Sequence, residues 1–304
     1  MSSFTTNLYH SIDGIDSSVF EGVNTDKNVY FSKPFLKAFE RSNPQIEFQY
    51  ITVSDAQKHT VALALVQTIN LSVEGTLKNI KVAPFIRKFL SLFFFNEHIK
   101  ILFCGNVFLS GEHGIRTSNE ISKNAVMTQI GTALDTVAEN TNPLHAIFIK
   151  DFMTESLKNT RQFLNFGYSE IKVEPNMIIQ LLPEWKTFED YKSILKSKYR
   201  VKANKADSKS SALKTRLFTE HDFETYKDEL QALYQNTIAN ASFNAQVLNL
   251  NTYVHLRATL KDDFIVKAYF LEDKLVGFLT ALVNKNALDA HFIGLDYELN
   301  KSHA

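Results

Sequence analysis

Asp289 and His291 stand two residues apart in Ala287-Leu288-Asp289-Ala290-His291-Phe292-Ile293-Gly294-Leu295, a β-rich run with Asp296 just past its end. The two-residue period of a strand puts 289 and 291 on one face. A carboxylate beside a histidine can tune it as a proton acceptor near neutral pH. A histidine hydrogen-bonded inside a sheet explains the pair as well. A second carboxylate–imidazole pair, Glu112-His113, lies in the turn Ser110-Gly111-Glu112-His113-Gly114, and Asn106 follows Gly105 where an apolar run is interrupted. An exposed polar turn accounts equally for Glu112 and His113. The third group is cationic: Lys198 and Arg200 open a stretch holding Lys202, Lys205, Lys209, Lys214 and Arg216 against only Asp207. It could hold an anionic group, although a solvated helix end is the plainer reading.

Several chemistries are excluded. The chain has 33 basic and 33 acidic residues, a formal net charge of +0, without the basic excess of a dedicated nucleic-acid binder. The single cysteine, Cys104, rules out an intramolecular disulfide and any multi-cysteine zinc site. Its setting, Ile101-Leu102-Phe103-Cys104, suits a small buried hydrophobe better than a nucleophile. No histidine or cysteine cluster has metal-ligand spacing, so no metal is expected. There is no phosphate-binding P-loop, no dinucleotide fingerprint and no Gly-x-Ser-x-Gly elbow. His145 precedes a strand and reads as structural. The first residues, Met1 to Asn7, resemble no signal peptide, and a cytoplasmic location is expected.

The elements that must position these groups follow from period and caps. The 304 residues, 44% hydrophobic and 22% charged, suit two globular units. Ser32 and Pro34 open a helix to Glu40. Glu47–Val53 and His59–Ile69 read as a hairpin of strands. Apolar residues at 82, 85, 86, 89, 90, 93 and 94 predict an amphipathic helix, beside which Arg87 and Lys88 allow peripheral membrane contact. Ile99–Leu109 reads as a strand with a bulge or close backbone approach at Gly105-Asn106. A helix over 122–140, a buried-type strand Ala146–Ile149, a helix Ser156–Phe166 stopped by Gly167, and β segments in 168–182 follow. Beyond them come a helix Trp185–Tyr199, helices Phe218–Asn240 and Leu250–Leu260, a hairpin turning at Glu272-Asp273, and the strand Ala287–Leu295. The expected class is α/β, with mixed central sheets flanked by helices.

Each half thus offers a helix, a hairpin and an apolar strand broken by glycine. This order resembles the GNAT fold, and specifically the double-module FemAB-like acyl-CoA N-acyltransferases of bacterial envelope metabolism. The resemblance rests on three passages. One is Phe188-Glu189-Asp190-Tyr191-Lys192-Ser193-Ile194-Leu195-Lys196-Ser197-Lys198-Tyr199-Arg200, which looks like the Tyr-x-x-x-Leu-x-x-Lys-x-Arg helix between modules. The others are Val276-Gly277-Phe278 with Leu288–Tyr297, and the opening Asn28–Leu36. It implies a first module over 1–182, then a linking helix and the first part of a second module over 183–304. The second module is expected to stop after its strand at 295, before any helix.

The resemblance also implies acyl-CoA as co-substrate, with its pyrophosphate on backbone N–H groups of an Arg/Gln-x-x-Gly-x-Gly/Ala turn. The matching place in the first module reads Arg116-Thr117-Ser118-Asn119-Glu120-Ile121-Ser122 and lacks the glycine pair, so that module is expected to be a degenerate scaffold. Acyl transfer to an amine of an envelope or lipid precursor would use His291 with Asp289, and Asp296, for proton transfer. Lys198, Arg200, Glu112, His113 and Asn106 would contact substrate or cofactor. Two alternatives stand beside this: a Fem-like aminoacyltransferase drawing on aminoacyl-tRNA, and a non-catalytic GNAT-like binding protein. An exposed sheet edge in an incomplete second module would also favour a homodimer.

Overall fold

The computed structural model describes residues 4–72, 98–118, 122–173, 175–241 and 246–303. The expected helix over 82–95 lies outside them. The chain divides into two compact units that interleave along the sequence. Unit 1 comprises 1–174, 241–263 and 283–287; unit 2 comprises 175–240, 264–282 and 288–304. The sequence boundary after 182 therefore falls within unit 2.

Unit 1 is built on a mixed sheet of order β1-β2-β3-β4-β6. Its strands are β1 (Thr5–Tyr9), β2 (Glu47–Ser54), β3 (Thr60–Ser72), β4 (His98–Cys104), β5 (Ile115–Thr117) and β6 (Ala146–Ile149). β1 to β4 run antiparallel in series, and β6 lies parallel to β4 from Ile101↔Ala146 to Cys104↔Ile149. Between β1 and β2 lie helices α1 (Ser17–Val23) and α2 (Lys33–Ser42). Ser32 caps α2 as its spacing predicts: its hydroxyl accepts from Phe35 N, with proline in the first turn. Helix α3 (Lys123–Asn140) connects β4 and β5 to β6, as a parallel pair requires.

Alternation along β2, β3 and β4 sorts the core into two faces. Ile51, Val53, Ala62, Ala64, Val66, Leu102 and Cys104 pack against Val126, Ile130, Leu134 and Val137 of α3. The opposite face carries Tyr50, Leu63, Leu65 and Gln67, all buried. Tyr50 donates there to Glu40 of α2 at 2.8 Å. A second helix of this unit, α8 (Asn251–Leu260), packs on α2, where Asn43 donates to Thr252 Oγ1 and accepts from Asn249 N. These bonds satisfy a buried amide that would otherwise cost about 1–3 kcal/mol.

Unit 2 has a four-stranded sheet of order β10-β9-β8-β7. The strands are β7 (Leu213–Leu217), β8 (Phe264–Leu271), β9 (Lys274–Asn284) and β10 (Ala287–Leu295). Helix α7 (Glu220–Asn240) buries Phe223, Leu230, Leu233 and Tyr234. Phe223 meets Phe264 of β8, and Tyr234 stacks on Phe292 of β10. Along β8, buried and half-buried residues alternate strictly, the mark of a strand with one covered face. The two sheets share a plan: one strand, two helices, then three consecutive antiparallel-neighbour strands and a helix.

Six expectations need correction. The apolar run after 99 does not continue as a strand to Leu109: β4 ends at Cys104, and residues 105–114 form a loop. β6 is a half-exposed edge strand rather than a buried one, with Phe148 exposed. Residues 154–166 form not one helix but a single turn, α4 (Leu157–Thr160), between 3-10 turns, ended by Gly167 at φ +80°. The described residues of 168–182 hold no strand despite their β-rich composition. The expected helix 185–199 is two helices, α5 (Phe188–Ile194) and α6 (Ser197–Lys209), broken where Leu195 turns to extended backbone. Finally, a helix does follow β10: α9 (Tyr297–His303).

Candidate functional site

The loop 105–114 interrupts the sheet where β4 ends beside its parallel neighbour. Both ends of the loop are tied to one residue of β3: Gly105 N donates to Leu65 O, and Leu65 N donates to Gly114 O, each at 2.9 Å. β5 then resumes pairing with β3 at Ile115↔Ala64. β4 and β5 are therefore successive partners of β3, with ten residues looped out between them. The neck explains its glycines. Gly105 has φ +145°, and a Cβ there would lie 2.4 Å from Lys150 Cγ; a Cβ on Gly114 would lie 2.7 Å from Cys104 O.

Lys150, the residue after β6, fastens the loop across the parallel pair. Its ammonium donates to Asn106 O at 3.0 Å and Leu109 O at 2.6 Å, and pairs with Asp151 at 2.9 Å. The carboxyl ends of adjacent parallel strands are where open α/β sheets place ligands. Asn106 is buried; its Oδ1 accepts from Phe108 N at 3.0 Å, and its Nδ2 meets no acceptor among the described residues. Gln67 of β3 is wholly buried: its Oε1 accepts from Val107 N at 2.7 Å, and its Nε2 likewise meets no acceptor among them. Gln67 was not legible as a site residue, since nothing within its strand run distinguishes it.

The other two loop residues named from sequence are also ordered. Glu112 Oε2 accepts from Met153 N at 3.1 Å and from Ser156 Oγ at 2.8 Å, joining the loop to the segment after β6. His113 is half-buried and stacks on Tyr30, ring centroids 3.8 Å apart. Asn106, Glu112 and His113 thus share one loop. Cys104, at its base, is fully buried, and desolvation pushes its thiol up to about 12, so it carries no thiolate near neutral pH. His145 joins the edge instead: its Nδ1 accepts from Lys100 N, and its own N–H donates to Lys100 O.

Arg116, in the turn expected to carry a pyrophosphate, donates to Val23 O and pairs with Asp26, which Lys285 also contacts. Burial pushes the Asp26 carboxyl up, but bonds from Lys285 and Arg116 outweigh it and hold it below the ordinary range. Helix α3 starts after Ser122, whose side chain makes no cap hydrogen bond.

In unit 2, Asp289 and His291 both lie half-buried on β10, and His291 stacks on Phe292. Asp296 has a local structural role. Its Oδ1 accepts from Glu298 N and Leu299 N at 3.2 Å, capping α9, while Oδ2 pairs with Lys274 at 2.9 Å. Lys274 first, then these N–H groups, hold its carboxyl below the usual value. The donors that an anion would use at this helix start therefore face the chain's own carboxylate. Lys198 and Arg200 lie on α6, a helix with no buried residue. Lys198 extends over the Tyr199 ring, and Arg200 donates to Ser193 O at 3.1 Å. Among the described residues, no group of three His, Cys, Asp or Glu is arranged to hold a metal. None of the described helices is long and apolar enough to cross a membrane.

No protein-family model matches the chain, and no curated protein matches it in sequence. Among solved structures, a conserved protein of unknown function from Bacteroides thetaiotaomicron aligns over 98% of this chain and 83% of its own, at 10% identity and TM-score 0.48. A GCN5-related glucosamine N-acetyltransferase region of a fungal multi-domain β-N-acetylglucosaminidase aligns over 92% of this chain and 28% of its own. There the identity is 14% and the TM-score 0.37. Neither alignment is close enough to carry a function across.

Proposed function

We propose that the protein is an N-acyltransferase that moves an acyl group from acyl-CoA to an amine, with the loop 105–114 of unit 1 as its reaction centre. One observation carries this reading: a parallel strand pair whose carboxyl end is opened by a loop that gathers Asn106, Glu112 and His113. In the reaction the amine nitrogen attacks the thioester carbonyl carbon, the C–S bond breaks, and the products are an amide and free CoA thiol. The amine's proton passes to a base, for which His113 is the candidate, and the leaving thiolate takes up a proton. The acceptor would be an amine of an envelope or lipid precursor. This reading revises the expectation that the first module is only a scaffold.

The test is thermal unfolding with free CoA and a series of acyl-CoAs, followed by assay of thiol release with amine acceptors. A ligand at about a hundred times its Kd raises stability by about 2.7 kcal/mol, which a melt resolves readily. No shift with any of them, and no thiol release, would sink the reading and favour a binding protein without catalysis.

A second reading is favoured by α6. Five of its thirteen residues are basic, one is acidic, and none is buried. Transfer of an aminoacyl group from tRNA would use such a helix on phosphates, with Lys198 and Arg200 among the contacts. It predicts tRNA binding that weakens steeply with salt.

A further inference from the structure

Within that reading, the orphaned amides of Gln67 and Asn106 say which part of the acyl donor the loop would hold. Each side chain has its orientation fixed by a backbone donor, Val107 N to Gln67 Oε1 and Phe108 N to Asn106 Oδ1, so in each the NH2 group must point away. The two bonded peptides are consecutive, so both amides flank the same short stretch of loop. Both side chains are more than nine-tenths buried, and both NH2 groups lack an acceptor among the described residues. A buried donor left without an acceptor costs about 1–3 kcal/mol, and two beside one another point to an acceptor that the fold is built to receive.

The character of that acceptor follows from its surroundings. Lys150 is the nearby cation, and its ammonium serves two carbonyls and Asp151. With that charge neutralised, two carboxamide donors suit a neutral carbonyl oxygen better than a phosphate or a free carboxylate. We infer that Gln67 Nε2 and Asn106 Nδ2 form a buried cradle for the carbonyl oxygen of the acyl donor. Such donors strengthen as negative charge develops on that oxygen during attack on the carbonyl carbon.

The test is side-chain amide NMR on the full chain labelled with 15N, the two NH2 pairs being assigned through their own carbon correlations. CoA and acetyl-CoA are titrated separately. Both NH2 pairs should shift with acetyl-CoA and stay in place with CoA. As a second readout, Asn106→Asp keeps the acceptor for Phe108 N and loses the NH2 group. It should weaken acetyl-CoA binding about tenfold and leave CoA binding unchanged. Backbone shifts showing acetyl-CoA bound while both NH2 pairs stay still would overturn the cradle and leave the transferase reading standing. The same holds if both pairs contact a long-lived water with acetyl-CoA bound. No response of any resonance to CoA or acetyl-CoA would overturn both.

Discussion

The two units open alike and differ at the turn after their central strands. In unit 1, β4 stops at Gly105, ten residues loop out, and α3 begins after a serine whose side chain does not cap it. In unit 2, β10 runs through to Leu295, and Asp296 at once caps α9 and pairs with Lys274. One plan therefore yields two outcomes: a loop rich in polar groups in one unit, and a helix start neutralised from within in the other. Strand order alone does not make a site; what the chain does with the donors at the strand's end decides it.

The largest expected effect separates the two histidines. His113→Gln should lower turnover by about 10²–10⁴-fold, the usual worth of a general base, with melting behaviour unchanged. His291→Gln should leave turnover within a few-fold of wild type. The reverse pattern would move the chemistry to β10, where Asp289 shares a face with His291. The two variants are compared by steady-state thiol release at saturating acetyl-CoA.

Next in size is the neck of the loop. Gly105→Ala forces a side chain into φ +145° and against Lys150, and should cost about 1–3 kcal/mol in denaturant unfolding. An unchanged midpoint would mean that the neck is not built as described. In unit 2, Asp296→Ala removes the cap and should cost about 1 kcal/mol, with faster hydrogen exchange limited to 297–303.

Much of the architecture was legible because it rests on local rules. The β2–β3 hairpin, α2 with its Ser32 cap, and the β8–β9 turn at Glu272-Asp273 all follow from alternation, caps and turn residues. What escaped were elements fixed by tertiary contact. β1 and β7 are short edge strands of mostly exposed residues, so they show little apolar alternation. α9 is too short to display a helical period. The break between α5 and α6 carries neither proline nor glycine; Lys192, buried between Glu189 and Asp207, ties the two helices together. In the site, Gly105-Asn106 announced an interruption, and Glu112 and His113 were visible as a pair. Gln67 was not, because its part depends on a loop that returns to β3 from far along the chain.

The smallest expected effect is on acid stability, and it too divides by unit. Asp26 in unit 1 and Asp296 in unit 2 both have carboxyls held below the ordinary 3.8 by cationic or N–H partners. A depressed folded-state pKa gives stability that is present above the unfolded value and lost as pH falls through the folded one. Melts followed from pH 5 to 2 should therefore steepen below about 4 in wild type. Asp26→Asn and Asp296→Asn should each flatten that loss by a modest amount. A slope unchanged in both variants would show that these pairs carry no acid sensitivity.

The most direct test of acyl transfer at unit 1 is hydrogen exchange of the full chain with and without saturating acetyl-CoA. Slowed exchange across 105–118, with 296–303 unchanged, is the result the account predicts. Protection confined to 288–303, or none anywhere, would contradict it.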